Sequence, residues 1–445
     1  MKASIFNNYI TLGNGTILGY NSFTRRFAVI PRNLHLALTE TSTNMNSDGD
    51  DWPSQLKEAG FLIPDSLDEV AVLDREITEE DFNQSFAEIH VNPTLNCNFR
   101  CWYCYEEHQP DSELGPEVYD ALCNYISNLL ESPVKRLNLG FFGGEPLLKF
   151  DKICRPLIEW TAEKCRFKGI CFHTHFTTNS YLLTPEIVDF LKKYECGLQI
   201  TLDGHREFHN KVRFAKGGHG SYDRILHNVA MASEAGISIV LRINYTIGNL
   251  DSVGDIISDL ANLKLKAPEG IVVNFQRVWQ DRHKGENDRM NSKISEFYGR
   301  LKELGVGFSL PDLNNPRTGS CYGDKRNYIC INYNGDFFKC TARDFKTNRR
   351  AGHLAPDGSL IWEPGRKEAW EKGKFSFNVC RGCRIAPLCL GGCRQRGVES
   401  VDDGSCPLGY DENRKDEIIL QRFEYQYLKS LQKSHSYDTQ LTTHS

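Results

Sequence analysis

Between residues 86 and 278 strand and helix patterns alternate with a regularity that leaves few folds open. AEIHVNPTL, RLNLGFFGG, GICFHTHFTTN, GLQITLDG, SIVLRINYTI and GIVVNFQRV are six strand-like runs. Helix-like segments near 116–131, 150–167, 185–195, 222–235 and 249–264 separate them. Thr184-Pro185 marks one helix start, with a capping hydroxyl and a proline suited to the first turn. Strands that alternate with helices predict a parallel sheet with right-handed crossovers, here an α/β partial (β/α)6 TIM-like barrel spanning residues 86–309. In such barrels chemistry gathers at the C-terminal ends of the strands.

The flanks differ. Residues 1–85 carry YITLGNGTILGYN, which alternates around Asn14-Gly15 and predicts a hairpin with a two-residue turn. TSTNMNSDGDD reads as a loop, and WPSQLKEAGFLI as a helix closed by Gly60. Together they predict a small winged-helix-like module. After residue 310 the rhythm stops and Gly, Cys and Pro become frequent. The stretch 310–415 is too irregular to predict a large apolar core, so bound metal is the expected source of order. A helix near DEIILQRFEYQYLKSLQ occupies the tail, 416–445, whose last ten residues are expected to be disordered. The net charge of −5 argues against a nucleic-acid partner. No apolar run is long enough to span a membrane, and the start lacks a signal-peptide layout, so a cytoplasmic location is expected.

In a reducing compartment sixteen cysteines point to metal or redox chemistry rather than disulfides. Cys123, Cys154, Cys165, Cys171 and Cys196 are scattered and read as small buried hydrophobes. Cys97, Cys101 and Cys104 lie in NCNFRCWYCYEE, directly after the first barrel strand. Three thiolates at this spacing can hold a four-iron cluster while leaving one iron without a protein ligand, and an open metal position implies catalysis. A zinc knuckle completed by His108 is the alternative.

This loop, with FFGGEP at the end of the second strand, resembles the radical S-adenosylmethionine (SAM) superfamily. The resemblance implies that Cys97, Cys101 and Cys104 bind a catalytic [4Fe-4S] cluster whose open iron is chelated by SAM. It also implies that reductive cleavage of SAM yields a 5′-deoxyadenosyl radical, with electrons from a flavodoxin- or ferredoxin-type donor. Gly143, Gly144 and Glu145 match the Gly-Gly-Glu motif that approaches the SAM amino group, and Tyr103 would lie near the adenine. Asn179 in Thr178-Asn179-Ser180 ends strand three, where the family often has Thr-Asn-Gly, so Ser180 is a departure. Asp203, then His209 and Arg213, resemble a segment that contacts ribose and the SAM carboxylate. Asn244 ends strand five in a comparable place. Each could instead cap a helix or serve a loop.

Cys380, Cys383, Cys389 and Cys393 follow a Cys-x2-Cys-x5-Cys-x3-Cys spacing, with Cys406 downstream and Cys321 and Cys340 upstream. This pattern is similar to the SPASM extension of radical SAM enzymes; a zinc ribbon uses only four of the seven. The resemblance implies two auxiliary [4Fe-4S] clusters, one on Cys380, Cys383, Cys389 and Cys406, the other on Cys321, Cys340 and Cys393. Cys330 could complete the second. A two-residue Asn334-Gly335 turn pairs Cys330 with Lys339 and puts it on the opposite face from Cys340; a three-residue turn reverses this.

SPASM proteins mainly modify peptides and proteins, so the resemblance implies a precursor peptide or protein as substrate. It also implies leader recognition by the N-terminal module through strand addition. Sulfatase-maturing relatives have an aspartate just after the cysteine equivalent to Cys340; here Thr341 stands there, with Asp344 nearby. That favours thioether or carbon–carbon crosslinking, epimerisation or oxidation of a ribosomal peptide, with sulfatase maturation as the alternative. The rival class is a non-catalytic iron–sulfur scaffold or electron-transfer protein.

Overall fold

All six strand-like runs pair in one mixed sheet. In the computed structural model β1 (Phe86–Asn92), β2 (Arg136–Phe141), β3 (Cys171–Thr178), β4 (Gly197–Asp203), β5 (Ser238–Tyr245) and β6 (Ile271–Arg277) are parallel neighbours in chain order. A short β7 (Gly307–Ser309) extends the run, and β8 (Tyr328–Asn332) adds in parallel on the far side of β1. β9 (Asp336–Phe338), β10 (Gly352–Leu354) and β11 (Leu360–Trp362) continue antiparallel, giving eleven strands. The structure describes residues 1–39, 54–263, 265–281, 287–309, 321–372, 374–399, 404–423 and 426. The predicted loop at 41–51 and the final ten residues fall outside them.

The alternation has a clear physical cause. Ala87, Ile89 and Val91 of β1, Leu137, Leu139 and Phe141 of β2, and Leu198, Ile200 and Leu202 of β4 are buried in one apolar core. The same core takes Leu122 and Ile126 from α1 (Pro116–Leu130), Leu157 and Ile158 from α2 (Arg155–Lys168), and Val188 and Leu191 from α3 (Pro185–Lys192). Ile225 and Val229 of α5 (Tyr222–Glu234) and Ile256 and Leu260 of α6 (Val253–Asn262) complete it; α4 (Arg206–Val212) lies between α3 and α5 in the chain. Each such Val, Leu, Ile or Phe side chain contributes about 1.5–3 kcal/mol on burial. Thr184 caps α3, accepting from Ile187 N at 3.3 Å. The alternate positions, among them Glu88, His90, Asn138, His175, Asp203 and Asn244, are polar and share the other face. This is the architecture of a partial α/β barrel.

The chain divides into two units, residues 83–310 with 325–367, which hold this sheet, and residues 1–82 with 311–324 and 368–445. The second unit contains a three-stranded antiparallel sheet, Asn7–Thr11, Ile17–Asn21 and Arg26–Ile30, and a helix, Glu69–Asp81, capped by Asp68. Its cysteine-rich segment takes part in two apolar clusters. Phe6, Leu73 and Ile77 pack with Phe375, Cys380 and Leu390, while Tyr20 packs with Ile385, Leu388, Ile418 and Ile419. Residues 412–423 are helical, in line with the expected tail helix.

Both Asn-Gly turns differ from expectation. In the first hairpin Leu12 N bonds Thr16 O and Gly15 sits at φ +81°, so the loop has three residues. In the second, Cys330 pairs with Phe338 rather than Lys339, leaving Tyr333, Asn334 and Gly335 as the loop, with Gly335 at φ +84°. A type I turn closed by a left-handed glycine uses the same dipeptide one residue later than a two-residue turn does. The parity argument against Cys330 is thereby overturned, since this register puts Cys330 and Cys340 on the same face.

Candidate active site

The loop that leaves β1 is fastened at its base. Thr94 Oγ1 donates to Ser112 O at 2.6 Å, Ser112 Oγ accepts from Leu95 N at 2.8 Å, and Leu114 N bonds Pro93 O at 2.9 Å. The end of β2 lies directly on this loop: Gly144 N donates to Thr94 O at 3.1 Å and Glu145 N to Asn96 O at 2.8 Å. A Cβ on Gly144 would stand 2.1 Å from Asn96 O, and one on Gly143, at φ +95°, 2.6 Å from Thr94 O. In the structure the glycines are required by the cysteine loop itself.

Cys97 and Cys101 are half-buried and Cys104 is exposed. Burial pushes the Cys97 thiol up to about 12 and that of Cys104 to about 11; Cys101 is also raised by burial, with Arg213 opposing. Only a bound cation would keep all three ionised. Phe99 N donates to Cys97 Sγ at 3.4 Å, and Cys104 Sγ is 3.8 Å from His108 Nε2.

Two polar networks flank the loop. In the first, the buried Glu145 carboxylate accepts from Thr178 Oγ1 at 2.6 Å, Asn179 N at 2.8 Å and Leu147 N at 3.1 Å. Asn179 Nδ2 then reaches Asn98 Oδ1 at 2.7 Å and lies 3.9 Å from Cys97 Sγ. In the second, the Tyr103 hydroxyl donates to Asp203 Oδ2 at 2.6 Å and accepts from Arg213 Nη1 at 3.0 Å and Asn244 Nδ2 at 3.1 Å. Tyr103, Glu145, Asn179, Asp203, Arg213 and Asn244 thus fall into two clusters beside the cysteine loop, on which Gly143 and Gly144 pack.

Sequence reasoning named His209 but missed the other supports. Asn98 sits between the first two cysteines, a local signal that could have been read. Arg242 Nε donates to Asn244 Oδ1 at 3.0 Å. His209 is a hinge of the second network: its Nδ1 accepts from Asp203 N at 3.2 Å, which makes Nε2 the donor to Ser221 Oγ at 2.9 Å, and Ser221 Oγ donates to Arg213 O at 2.5 Å. Burial and Arg213 hold His209 well below the ordinary imidazole range. Glu106 is raised to about 8 by burial and by Glu145.

In the other unit Cys380, Cys383, Cys389 and Cys406 line a single cavity of about 140 Å³, together with Gly391, Gly392 and Lys415. Leu390, Gly391 and Gly392 are consecutive left-handed residues, which turns the N–H groups of Gly391 and Gly392 toward Cys389 Sγ. Four thiols, N–H donors to sulfur and one ammonium group are a donor set that fits a four-iron cluster. Cys321 and Cys393 belong to this unit as well. Asp324 N bonds Cys321 O at 2.9 Å, and Arg394 joins Asp324 and Asp81 at 3.3 and 3.2 Å. Cys340 lies in the larger unit, where Cys330 is buried with Sγ 3.7 Å from Asn92 Oδ1.

Residues 91–260 match the family model of the radical SAM superfamily. Over 210 residues the chain is 27% identical to a radical SAM cyclopropyl synthase, TigE, of Paramaledivibacter caminithermalis, covering 42% of this chain and 42% of that protein. Over 151 residues it is 29% identical to the cysteine-type anaerobic sulfatase-maturating enzyme of Clostridium novyi, covering 30% of this chain and 37% of the enzyme. The chain thus spans less than half the length of either relative. In fold it is similar to anSMEcpe with bound AdoMet and Cp18Cys peptide, with a TM-score of 0.59 at 17% identity over 79% of this chain and 99% of that one. Among the described residues no helix is long and apolar enough to cross a membrane. The chain carries a radical SAM domain, homologous to those of the cyclopropyl synthase and the sulfatase-maturating enzyme.

Proposed function

We propose that this protein is a radical SAM enzyme that abstracts hydrogen from a residue of a peptide or protein. The observation that carries the reading is the meeting, at the C-terminal ends of β1 to β5, of the three-thiol loop with the Glu145 and Tyr103 networks. Cys97, Cys101 and Cys104 would hold a four-iron cluster with one iron left for SAM. When bound, cluster and SAM supply one-electron reductive cleavage to a hydrogen-abstracting 5′-deoxyadenosyl species.

The protein's own part is binding and orientation. Glu145 spends three of about four acceptor positions on the fold, and the fourth is free for an ammonium group. Arg213 presents a buried guanidinium beside Cys101 and Tyr103, suited to a carboxylate. Asp203 and Asn244 offer groups for ribose hydroxyls. Cys380, Cys383, Cys389 and Cys406 would hold one auxiliary cluster, and Cys321, Cys340 and Cys393, with Cys330 as a candidate fourth ligand, another. A flavodoxin- or ferredoxin-type protein would deliver the electron, and residues 1–85 would bind the precursor at an edge strand of their sheet.

Thr341 pointed toward crosslinking or epimerisation of a ribosomal peptide. The sulfatase-maturating relative favours oxidation of a cysteine or serine to formylglycine instead. The test is anaerobic: the iron-reconstituted, chemically reduced chain should convert SAM to 5′-deoxyadenosine, and the triple alanine variant of Cys97, Cys101 and Cys104 should not. Absence of 5′-deoxyadenosine from the wild type returns the protein to the scaffold class. Mass spectrometry of cysteine- and serine-containing peptides then separates formylglycine from a crosslink.

A further inference from the structure

The polar face of the sheet carries a second cluster, nearer the N-terminal ends of the strands, that the SAM site does not use. Register sets Glu88, Asn138 and His173 side by side on β1, β2 and β3, and His90, Gly140 and His175 one step further along. Gly140 is what lets the two rings meet. A Cβ there would stand 2.3 Å from both Cε1 and Nε2 of His175 and 2.8 Å from His90 Cδ2. Across the gap, His90 Nε2 and His175 Nε2 are 2.8 Å apart, with the rings edge to face. Glu88 Oε1 is 3.7 Å from His90 Nδ1, and one donor atom from each of the three residues lies within 4.8 Å of the others.

Burial raises the Glu88 carboxyl to about 7, so without a partner cation it is drawn toward its neutral form. Buried carboxylates are paired with a cation or bind a metal. Among the described residues the ionic neighbour of Glu88 is His90, and no lysine or arginine pairs with it. Both imidazoles are held neutral by burial, His175 down to about 4 and His90 well below its usual value. Neutral imidazoles offer lone pairs, not positive charge. Asn138 Oδ1, in register with Glu88, is buried with no hydrogen-bond partner among the described residues. Two neutral imidazoles, a carboxylate short of a cation and an orphan amide oxygen form one donor set.

We propose that Glu88, His90 and His175 bind a single divalent transition-metal ion in the barrel interior, beside Cys330, which pairs with His90 in register. Two imidazoles and a carboxylate suit zinc, and three protein ligands leave a further position for water, Asn138 or a donor atom of the substrate. Tetrahedral zinc with bonds of about 2.0–2.1 Å to nitrogen needs the two Nε2 atoms to part by about half an ångström. The competing state is a metal-free pair of neutral imidazoles, one donating to the other.

The test uses the full chain with its iron–sulfur clusters reconstituted anaerobically, then given zinc and desalted. Zinc and iron are counted, and the zinc K-edge X-ray absorption spectrum is recorded. The expected result is about one zinc per chain with a first shell of nitrogen and oxygen only. H175Q and E88Q should each lower zinc retention at least tenfold with iron unchanged. A wild type that keeps no zinc overturns the site, as does a sulfur shell, or variants that retain as much zinc as the wild type. Should a variant lose iron too, through a folding defect, the wild-type spectrum decides: imidazole scattering supports the site and sulfur overturns it.

Discussion

Arg213 Nη1 donates to the Tyr103 hydroxyl at 3.0 Å, and that bond ties the residue after α4 to the cysteine loop. The same guanidinium has Nε 3.4 Å from Asp203 Oδ2 and lies over the Phe99 ring at 5.7 Å. Lysine can reproduce neither the fork nor the stacking. R213K should therefore lower SAM affinity at least tenfold while the reconstituted protein keeps its iron. Equilibrium binding of labelled SAM checks this; unchanged affinity would remove Arg213 from the site.

His209 gives a pH signature. Its folded value is depressed by burial and by Arg213, so the native state holds it neutral while the unfolded chain protonates it below about 6.5. Its contribution to stability is complete above that value and is lost as pH falls below it, by up to about 1.4 kcal/mol per pH unit. Asparagine keeps an acceptor for Asp203 N and does not titrate. The stability gap between wild type and H209N, from denaturant melts, should shrink as pH drops from about 7 to about 5. A gap constant with pH would show that His209 is not held neutral.

Much of this was legible in the sequence because it depended on local pattern. The six strands were readable since Ala87, Ile89 and Val91 alternate with polar neighbours, and Thr184-Pro185 specified a helix start directly. The two polar networks were legible only through likeness to a family, because Tyr103 and Asn244 are far apart in sequence and nothing local couples them. What sequence reasoning got wrong was subtler. Asn-Gly suits both a two-residue turn and the glycine end of a three-residue loop, and the difference of one residue moved Cys330 to the face of Cys340. Gly140 looked like any strand glycine; its meaning depends on two histidines brought in from flanking strands.

The four-thiol cavity predicts a separable defect. Cys380 and Cys389 are pushed up to about 12 and about 11 by burial and by neighbouring sulfurs, so these two thiols are neutral without a metal. C383A should remove about four irons per chain while 5′-deoxyadenosine formation without substrate persists. Chelation of iron should lower the thermal midpoint of the wild type more than that of C383A, since the variant has less metal-linked stability to lose. Loss of all iron in C383A would contradict the independence of the two sites.

Ser180 offers a gain rather than a loss. It sits at φ +57°, where its family counterpart is often glycine, and its Oγ is buried with no hydrogen-bond partner among the described residues. A left-handed residue with a Cβ costs about 1–2 kcal/mol, and an unsatisfied buried hydroxyl about 1–3. Glycine removes both and gives back about 0.4–1 kcal/mol through the greater freedom of the unfolded chain. The bonds that hold the segment, Ser180 N to Thr178 Oγ1 at 2.9 Å and Asn228 Nδ2 to Ser180 O at 2.7 Å, use backbone atoms of residue 180 and survive the change. S180G should therefore stabilise the protein by about 1 kcal/mol or more in denaturant melts, with Asn179 still positioned and SAM cleavage unaltered. A less stable S180G would mean that the serine hydroxyl has a partner, such as a bound water, that offsets its strain.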